Sequence, residues 1–355
     1  MKLKNKSTGF AIALAWPQTW CKQPNAWYDN LLLGLGIYKN HYCRAGHAAL
    51  VLVEKTSGNC QYFDFGRYHA PFEHGRVRSA ITDHDLELPI KTQITANDKS
   101  ITNLREILEF LHQNQACHGN GDLYGSYTEV DFQMAYHKVL QMQQQSPLPY
   151  GPFVYNGTNC SRFVDTVIRA GHPPMKCALK MKYQVPFTPT PISNVNALTH
   201  KTKISAPQPW SLFHPYRKPK KEELSGTLPQ PVRNTAIPPA AQWLSGEGAG
   251  SWFHIVKKQD GLYQITRFSP EGVVECSSVF RHDSRFSFDL TLPFEVVHLS
   301  HCAKVRIKQN KQIIVLVRIL DAEKAVRNLT ASDKGMEYAA YEATENLGDG
   351  LHFRP

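Results

Sequence analysis

The sequence lacks the closely spaced cysteine pairs from which proteins build zinc sites. None of its eight cysteines stands in a Cys-x-x-Cys pair: they are Cys21, Cys43, Cys60, Cys117, Cys160, Cys177, Cys276 and Cys302. Dispersed cysteines in a chain of this length, without a recognisable signal peptide, predict reduced thiols and a cytoplasmic location. The histidines show no tight spacing that would compensate, so we expect neither a metal site nor a cofactor.

The sequence also lacks a long apolar run. No stretch reaches the ~18 residues that a membrane-spanning helix requires. A basic N-terminus followed by the apolar run from Phe10 to Trp16 imitates a signal peptide, but the run is short, has no small-residue cleavage site and ends in Trp-Pro. This pattern predicts a first β-strand and no transmembrane segment.

Signatures of nucleotide and nucleic-acid binding are missing as well. The glycine-rich segment from Cys117 to Ser126 has neither a G-x-G-x-x-G nor a Walker pattern, which leaves a loop beside an active cleft or an ordinary solvated loop. The net charge of +10 permits anionic partners, but it is scattered, apart from a basic run at Tyr216 to Glu223 in a proline-rich region. No nucleic-acid-binding motif accompanies that run, so we expect no nucleic-acid partner.

The elements that are present divide the chain into three regions. Residues 8–185 are dense in periodic segments, residues 186–245 are rich in proline and typical of an extended connector, and residues 246–355 hold strand-like segments followed by a polar tail. The expected fold class is α+β, with an N-terminal domain of antiparallel sheet and helices on one of its sides. An all-β module follows, and its last hairpin is expected to turn at Asn310-Lys311.

The N-terminal region contains one clear hairpin and three amphipathic helices. The hairpin is predicted around the turn at residues 55–59, and the helices within residues 100–115, 129–145 and 161–171. Apolar residues recur at helical spacing in each helix and predict its buried face: Leu104, Ile107, Leu108 and Leu111; Phe132, Ala135, Val139 and Leu140; Phe163, Val164, Val167 and Ile168.

Cys160 stands where a turn meets the third helix, in the segment YNGTNCSRFVDTVIRAG. A helix N-terminus presents unpaired N–H groups and a positive dipole end, both of which lower the pKa of a thiol. Position alone favours the commoner case, a cysteine that is a small buried side chain. If Cys160 is a nucleophile, its backbone N–H and the Asn159 side chain are candidates for stabilising an oxyanion.

A thiolate nucleophile needs a base, and the base needs an orienting partner. His47 lies near the start of the apolar segment GHAALVLVE, where a polar ring is unfavourable unless it has a hydrogen-bonding partner or a function. Asp64 lies between two phenylalanines on the following strand. Counting across the turn places Cys60 beside Val53 and Asp64 beside Ala49, one diagonal step from His47. Two alternatives remain open: His47 as a hydrogen-bonded core histidine, and Asp64 as the partner of a nearby arginine.

These segments resemble the circularly permuted NlpC-type papain-fold families, in which the histidine precedes the cysteine and the cysteine begins a helix. NCSRFV is similar to the cysteine motif of lecithin:retinol acyltransferase-like proteins, and GHAALVLV, YFDFGRY and NGTNCSRFV together resemble an uncharacterised, mostly Bacteroidetes family. The resemblance covers residues 8–180 and implies a papain-like fold with Cys160 as nucleophile, His47 as base and Asp64 as third member. Asp64 or Tyr62 stands where retinol acyltransferases have a second histidine, so either residue is a candidate for the third role.

We therefore expect a cysteine-dependent hydrolase or acyltransferase that acts on an amide in a peptide, a cell-wall fragment or a lipid. Arg67, Arg76 and Arg78 are candidates to clamp an anionic group of the substrate, with pairing to nearby aspartates as the alternative. His118 and Tyr155 are further candidate substrate contacts. Two other hypotheses stay open: a non-catalytic papain-like binding module, and a lipid acyltransferase.

Overall fold

The computed structural model describes residues 7–23, 27–151, 153–186, 188–206, 224–259, 261–282 and 288–319. None of the helices in these ranges is long and apolar enough to cross a bilayer. The apolar run after the basic N-terminus forms the first strand, as predicted, and all eight of its residues are buried. The basic run at 216–223 and the polar tail beyond residue 319 lie outside the described residues.

The N-terminal domain is built on one antiparallel sheet. Its elements are β1 (Gly9–Trp16), β2 (Cys21–Lys22), α1 (Asp29–Gly34), β3 (Tyr42–Cys43), β4 (His47–Glu54), β5 (Cys60–Gly66), β6 (His74–Arg78), α2 (Leu104–Gln113), β7 (Leu123–Val130), α3 (Phe132–Gln144), β8 (Leu148–Pro149), α4 (Cys160–Ala170), α5 (Met175–Tyr183), α6 (Pro191–Ala197) and β9 (Thr199–Ile204), with short 3-10 turns at His84–Leu86 and Gln115–Cys117. The strand order is β8-β6-β5-β4-β1-β7-β9, and β2 pairs with β3 in a separate ribbon.

The sheet is covered on both faces. Alternate residues of its strands, such as Leu50 and Phe63, pack against α3 and α4, whereas Val51 and Tyr62 pack on the opposite face with Leu108 of α2. The expectation of helices on one side only is therefore wrong. An amphipathic pattern predicts that a helix buries one face, but it does not say which side of a sheet receives that face.

The three predicted helices form, and their buried faces match the expected spacing with one exception. Met142 is the fourth buried side chain of α3 in place of Leu140, which is only partly buried. The hairpin register is confirmed: Val53 pairs with Cys60 and Ala49 with Asp64. This register places Asp64 near the start of β4, at the end of the sheet where α4 also begins.

Part of the expected connector belongs to the N-terminal domain. Residues 191–204 form α6 and β9, and β9 extends the sheet at its edge by pairing with β7. The proline at the start of α6 stands at the first helical position, where its missing N–H has no intrahelical acceptor to lose, and Thr190 caps the helix. Proline content alone thus overstated the length of the linker.

The all-β module is confirmed and nearly closes into a barrel. It contains β10 (Gln242–Leu244), β11 (Ser251–Gln259), β12 (Leu262–Phe268), β13 (Val274–His282), β14 (Glu295–Val297), β15 (Lys304–Gln309) and β16 (Gln312–Arg318) in the order β10-β11-β12-β13-β16-β15-β14. The Gln242 side chain bonds the backbone of Phe294 and Val296 and so joins the two edges. Asn310 and Lys311 both adopt positive φ, the geometry that a two-residue hairpin turn requires.

Candidate active site

Cys160 is the first residue of α4 and is 8% exposed. The preceding Asn159 is extended, and its side-chain oxygen accepts a hydrogen bond from the Arg162 N–H at 2.9 Å. Asn159 therefore caps the helix, a role that the sequence analysis did not assign to it. The N–H of Cys160 lies at the helix start, where the helix itself provides no acceptor.

His47, the first residue of β4, supplies a nitrogen to the thiol. The His47 side chain and the Ala48 N–H both act on the Cys160 thiol. Burial by itself raises the pKa of Cys160, but the hydrogen bond and charge of His47, together with the Ala48 N–H, lower that pKa below its ordinary value. Burial by itself lowers the pKa of His47, but Asp64 and Cys160 outweigh it and raise the pKa to about 9.

Asp64 lies on the other side of the imidazole. Its Oδ2 is 3.5 Å from Nε2 of His47, which leaves Nδ1 as the nitrogen available to the thiol. The carboxylate also accepts hydrogen bonds from the hydroxyls of Tyr62 and Tyr68, at 3.1 Å and 2.9 Å. Burial by itself raises the pKa of Asp64, but the charge of Arg78 and the hydrogen bond from His47 lower it below its ordinary range. Cys160, His47 and Asp64 are therefore in a contiguous line.

Arg78 holds the far side of this carboxylate. It faces Asp64 directly across β5 and β6, and its Nε and Nη2 donate to Oδ1 and Oδ2 at 3.0 Å and 2.6 Å. Its guanidinium also lies 3.5 Å from the ring centre of Tyr68. Since a bidentate pair fixes both carboxylate oxygens, Arg78 sets the direction from which Asp64 meets His47.

Aromatic rings enclose the imidazole. Trp16 is the cross-strand partner of His47 and stacks on it, with ring centres 5.8 Å apart. His118, in the glycine-rich segment, stacks on Tyr68 at 5.1 Å. Gly119 passes so close to Trp16 that an added Cβ would lie 2.2 Å from the indole, so only glycine fits this approach. The glycine-rich segment thus lies beside the candidate site.

The predicted arginine clamp is not supported by the structure. Arg76 and Arg78 are 3% and 4% exposed, and Arg76 makes a bidentate pair with Asp83 at 2.7 Å for both bonds. Arg67 pairs with Glu247 of the all-β module and lies over the Tyr150 ring. The alternative, pairing with nearby carboxylates, describes Arg76 and Arg78. It does not describe Arg67, whose partner Glu247 lies 180 positions away in the sequence. Tyr155, in contrast, is fully accessible on the loop before Cys160.

Two residues of the site escaped the sequence analysis. Tyr68 follows Asp64 by four positions and contacts both Asp64 and His47, the latter at 3.4 Å between Oη and Nε2. Trp16 reaches His47 only because β1 pairs with β4 in one particular register. Tyr68 lies in the YFDFGRY segment, and its short spacing from Asp64 in the sequence could have indicated that the two side chains meet.

Family models match both parts of the chain. No curated protein matches this sequence. A crystal structure of the type VI secretion system effector TseH aligns at 18% identity over 54% of this chain and 88% of that chain, with a TM-score of 0.34. A family model for the DUF6695 C-terminal domain matches residues 241–319. Residues 11–175, which contain the entire candidate site, match the family model described as type VI secretion system effector TseH-like.

Proposed function

We propose that this protein is a cysteine-dependent hydrolase in which Cys160 attacks an amide or related acyl carbonyl. The observation that carries the proposal is the unbroken line of contacts from the thiol through the imidazole of His47 to the buried Asp64. A structural cysteine has no need of such a line, and burial alone would raise its pKa instead of lowering it. The arrangement is that of a papain-like site, in which one imidazole nitrogen serves the nucleophile and the other is held by a polar residue.

The proposed reaction begins from a thiolate and an imidazolium. The Cys160 sulfur forms a bond to the carbonyl carbon, and the carbonyl electron pair moves to the oxygen. The Cys160 N–H at the start of α4 is the donor closest to that oxyanion, and such a donor contributes about 3 kcal/mol. Collapse breaks the bond to the leaving amine, which takes the proton from His47 and leaves a thioester.

The second half returns the site to its starting state. His47, now neutral, removes a proton from water, and the resulting hydroxide attacks the thioester carbonyl. Cleavage of the carbon–sulfur bond restores the thiolate, and His47 is again protonated. Asp64 stays ionised throughout, because Arg78 and the tyrosine hydroxyls satisfy its oxygens. Its role is to orient the ring and stabilise the imidazolium.

The substrate class in this proposal is an amide of a peptide, a cell-wall fragment or a lipid. His118 and Tyr155 are proposed substrate contacts, since both are exposed on loops that border the site. The family model that matches residues 11–175 is described as type VI secretion system effector TseH-like. We extend the proposal to a chain that is made in the cytoplasm with reduced thiols and then exported as such an effector. All eight cysteines are free in the structure, which accords with that order of events.

Alkylation kinetics test the proposed nucleophile. Iodoacetamide labelling at several pH values, with peptide mapping by mass spectrometry, gives a rate for each cysteine. At pH 7 we expect Cys160 to react at least about tenfold faster than the other seven, because it combines a lowered pKa with a position at the open N-terminus of a helix. His47→Ala should remove this advantage, whereas Cys177→Ala, at a buried cysteine of α5, should leave the Cys160 rate unchanged.

Turnover tests the proposed reaction. Peptide, cell-wall and lipid-amide libraries are incubated with the wild type and with Cys160→Ala, and cleavage that requires the thiol identifies the substrate. Uniform slow labelling of all cysteines would contradict the nucleophile. A reactive Cys160 with cleavage that persists in Cys160→Ala would assign the chemistry to another residue.

A further inference from the structure

The segment between β2 and β3 exposes more large apolar side chains than an unpartnered surface normally does. Within residues 27–37, the apolar projection, Trp27 is 78% exposed, Leu31 62% and Leu35 64%, and Leu33 and Ile37 are also exposed. The projection is anchored at its base, where the buried hydroxyl of Tyr38 donates to the buried Asp29 at 2.8 Å. Contiguous exposed apolar surface of this kind marks an interaction site.

The loop before Cys160 continues this surface. The ring of Phe153 lies 5.2 Å from that of Tyr28 and 6.5 Å from that of Trp27, so the loop and the projection are in contact. Phe153 and Tyr155 are themselves exposed. Residues 27–37 and 153–155 together form what we term the docking face. Its loop part ends five residues before the thiol in sequence and borders the candidate site.

The leucines do not form one flat strip. Leu31 and Leu33 are two positions apart in α1, and side chains at that spacing point to different sides of a helix. Both are nevertheless exposed, so apolar side chains surround the projection instead of lining one face. A rigid protein surface would cover one side of such a tip, whereas a fluid apolar phase can cover all of it.

The exposed charges on the projection's own stretch of chain have one sign. Asp29 is buried and bonded to Tyr38, and the exposed charged side chains between residues 27 and 44 are Lys39 and Arg44. The loop from Tyr150 to Asn159 contains no charged residue. This projection has leucines at its tip, tryptophan and tyrosine around the tip, and cations at its base. Such a combination binds the interface of an anionic bilayer.

We propose that the docking face inserts into the interfacial layer of an anionic lipid bilayer and holds the Cys160 cleft at the membrane surface. The insertion needs no chemistry at the thiol. It therefore stands independently of the proposed hydrolysis, and Cys160→Ala should bind lipid as the wild type does.

Vesicle co-sedimentation of the full-length chain tests this proposal. Vesicles of phosphatidylcholine alone are compared with vesicles that also contain phosphatidylglycerol, at low and high salt. We expect the chain to sediment with the phosphatidylglycerol vesicles, and less so at high salt. Replacing Leu31, Leu33 and Leu35 together by serine should weaken partition at least about tenfold, because three exposed apolar side chains no longer enter the bilayer.

Two further variants separate the apolar and the electrostatic contributions. Lys39→Glu with Arg44→Glu should weaken binding to phosphatidylglycerol vesicles only. Val232→Ser with Val273→Ser changes two exposed valines away from the docking face and should leave partition unchanged. Since all the replaced side chains are exposed, circular dichroism should show an unaltered fold.

Three results would overturn the proposal. They are the absence of sedimentation with both kinds of vesicle, equal partition of the triple-serine variant, and a concentration-dependent dimer that the triple-serine variant abolishes. The last result would assign the docking face to a second copy of the chain. Retained lipid binding in a Cys160→Ala variant that has lost turnover would support both proposals separately.

Discussion

Two buried aspartates of this protein are held in nearly the same way and have different neighbours. Asp64 is gripped by Arg78 and Asp83 by Arg76, each through two hydrogen bonds, and β6 supplies both arginines. In each case burial by itself raises the carboxyl pKa, and the arginine charge outweighs it, so that the pKa is lowered. Both carboxylates are therefore ionised at neutral pH.

The difference lies in the next contact of each carboxylate. Asp64 continues to His47 and from there to Cys160. Asp83 continues to Arg267 of β12 at 3.0 Å, and so joins the N-terminal sheet to the all-β module. The donors to Asp83 are the two arginines and the hydroxyl of Thr82, and its carboxylate therefore serves cations of the fold where that of Asp64 serves an imidazole. The same electrostatic solution thus serves the proposed chemistry in one place and the assembly of the fold in the other.

The largest expected effect follows from removing the thiol, the last group in the series Asp64, His47 and Cys160. Cys160→Ala should lower thiol-dependent turnover at least about ten-thousand-fold, since the nucleophile is absent. The free energy of unfolding should change by no more than about 1 kcal/mol, because the arginine pairs remain intact. Turnover assays and urea titration measure the two quantities, and substantial residual turnover would contradict the role of Cys160.

Removing Asp83 should instead affect stability. Asp83→Ala leaves Arg76 and Arg267 buried without their shared acceptor, and we expect unfolding to require about 3–5 kcal/mol less free energy. Asp122→Ala is the control, because its 2.7 Å pair with Lys203 lies at the surface, where water screens the charges, and its loss should destabilise the fold much less. Equal urea midpoints for the two variants would contradict a structural role for Asp83.

The reactivity of Cys160 distinguishes the two aspartates directly. Asp64→Asn removes the charge that raises the His47 pKa, so the imidazolium and its thiolate partner become less populated at pH 7. Alkylation of Cys160 should slow about tenfold, in proportion to a shift of about one pKa unit. Folded Asp83→Asn should keep the wild-type alkylation rate. If alkylation of Cys160 slowed equally in Asp64→Asn and Asp83→Asn, Asp83 would also have to act on the thiol.

The pH profile depends on the same pair of groups. Below the lowered Cys160 pKa the thiol is protonated and inert, and above about pH 9 His47 loses its proton. We expect kcat/KM to rise through the lowered pKa of Cys160 and to fall as the pH rises through about 9. Because folding raises the His47 pKa, the stability that this residue contributes should be present below pH 6.5 and lost as the pH rises through about 9. A loss of kcat/KM as the pH rises through 6.5, the ordinary pKa of histidine, would contradict the pairing of His47 with Asp64 and Cys160.

The smallest expected effect concerns the helix cap beside the thiol. Asn159→Ala removes the acceptor of the Arg162 N–H and should lower the free energy of unfolding by about 1 kcal/mol. Asn159→Asp keeps the cap but adds a negative charge next to the thiolate, so the Cys160 pKa should rise. Urea titration and alkylation against pH check the two variants. A loss of turnover in Asn159→Ala beyond tenfold would return Asn159 to the oxyanion role first predicted for it.

Local patterns in the sequence predicted the elements that carry the site. The short turn between β4 and β5 was sufficient to pair Ala49 with Asp64, because the length of its turn sets the register of a hairpin. The helical spacing of apolar residues predicted α4, with Cys160 at its N-terminus. Those predictions use contacts between residues close in the chain, where few arrangements are sterically possible.

The roles of the arginines were decided only by the tertiary structure. Arg76 and Arg78 are two residues apart on one strand and look alike in sequence, yet one meets Asp83 and the other Asp64. Arg267 reaches Asp83 across 184 positions of chain. Charge partners at such separations depend on how whole sheets pack, and no local pattern encodes that packing. The sequence by itself determined the strand register and the helix that begins at the thiol; the fold determined which carboxylate serves the thiol and which holds the two parts together.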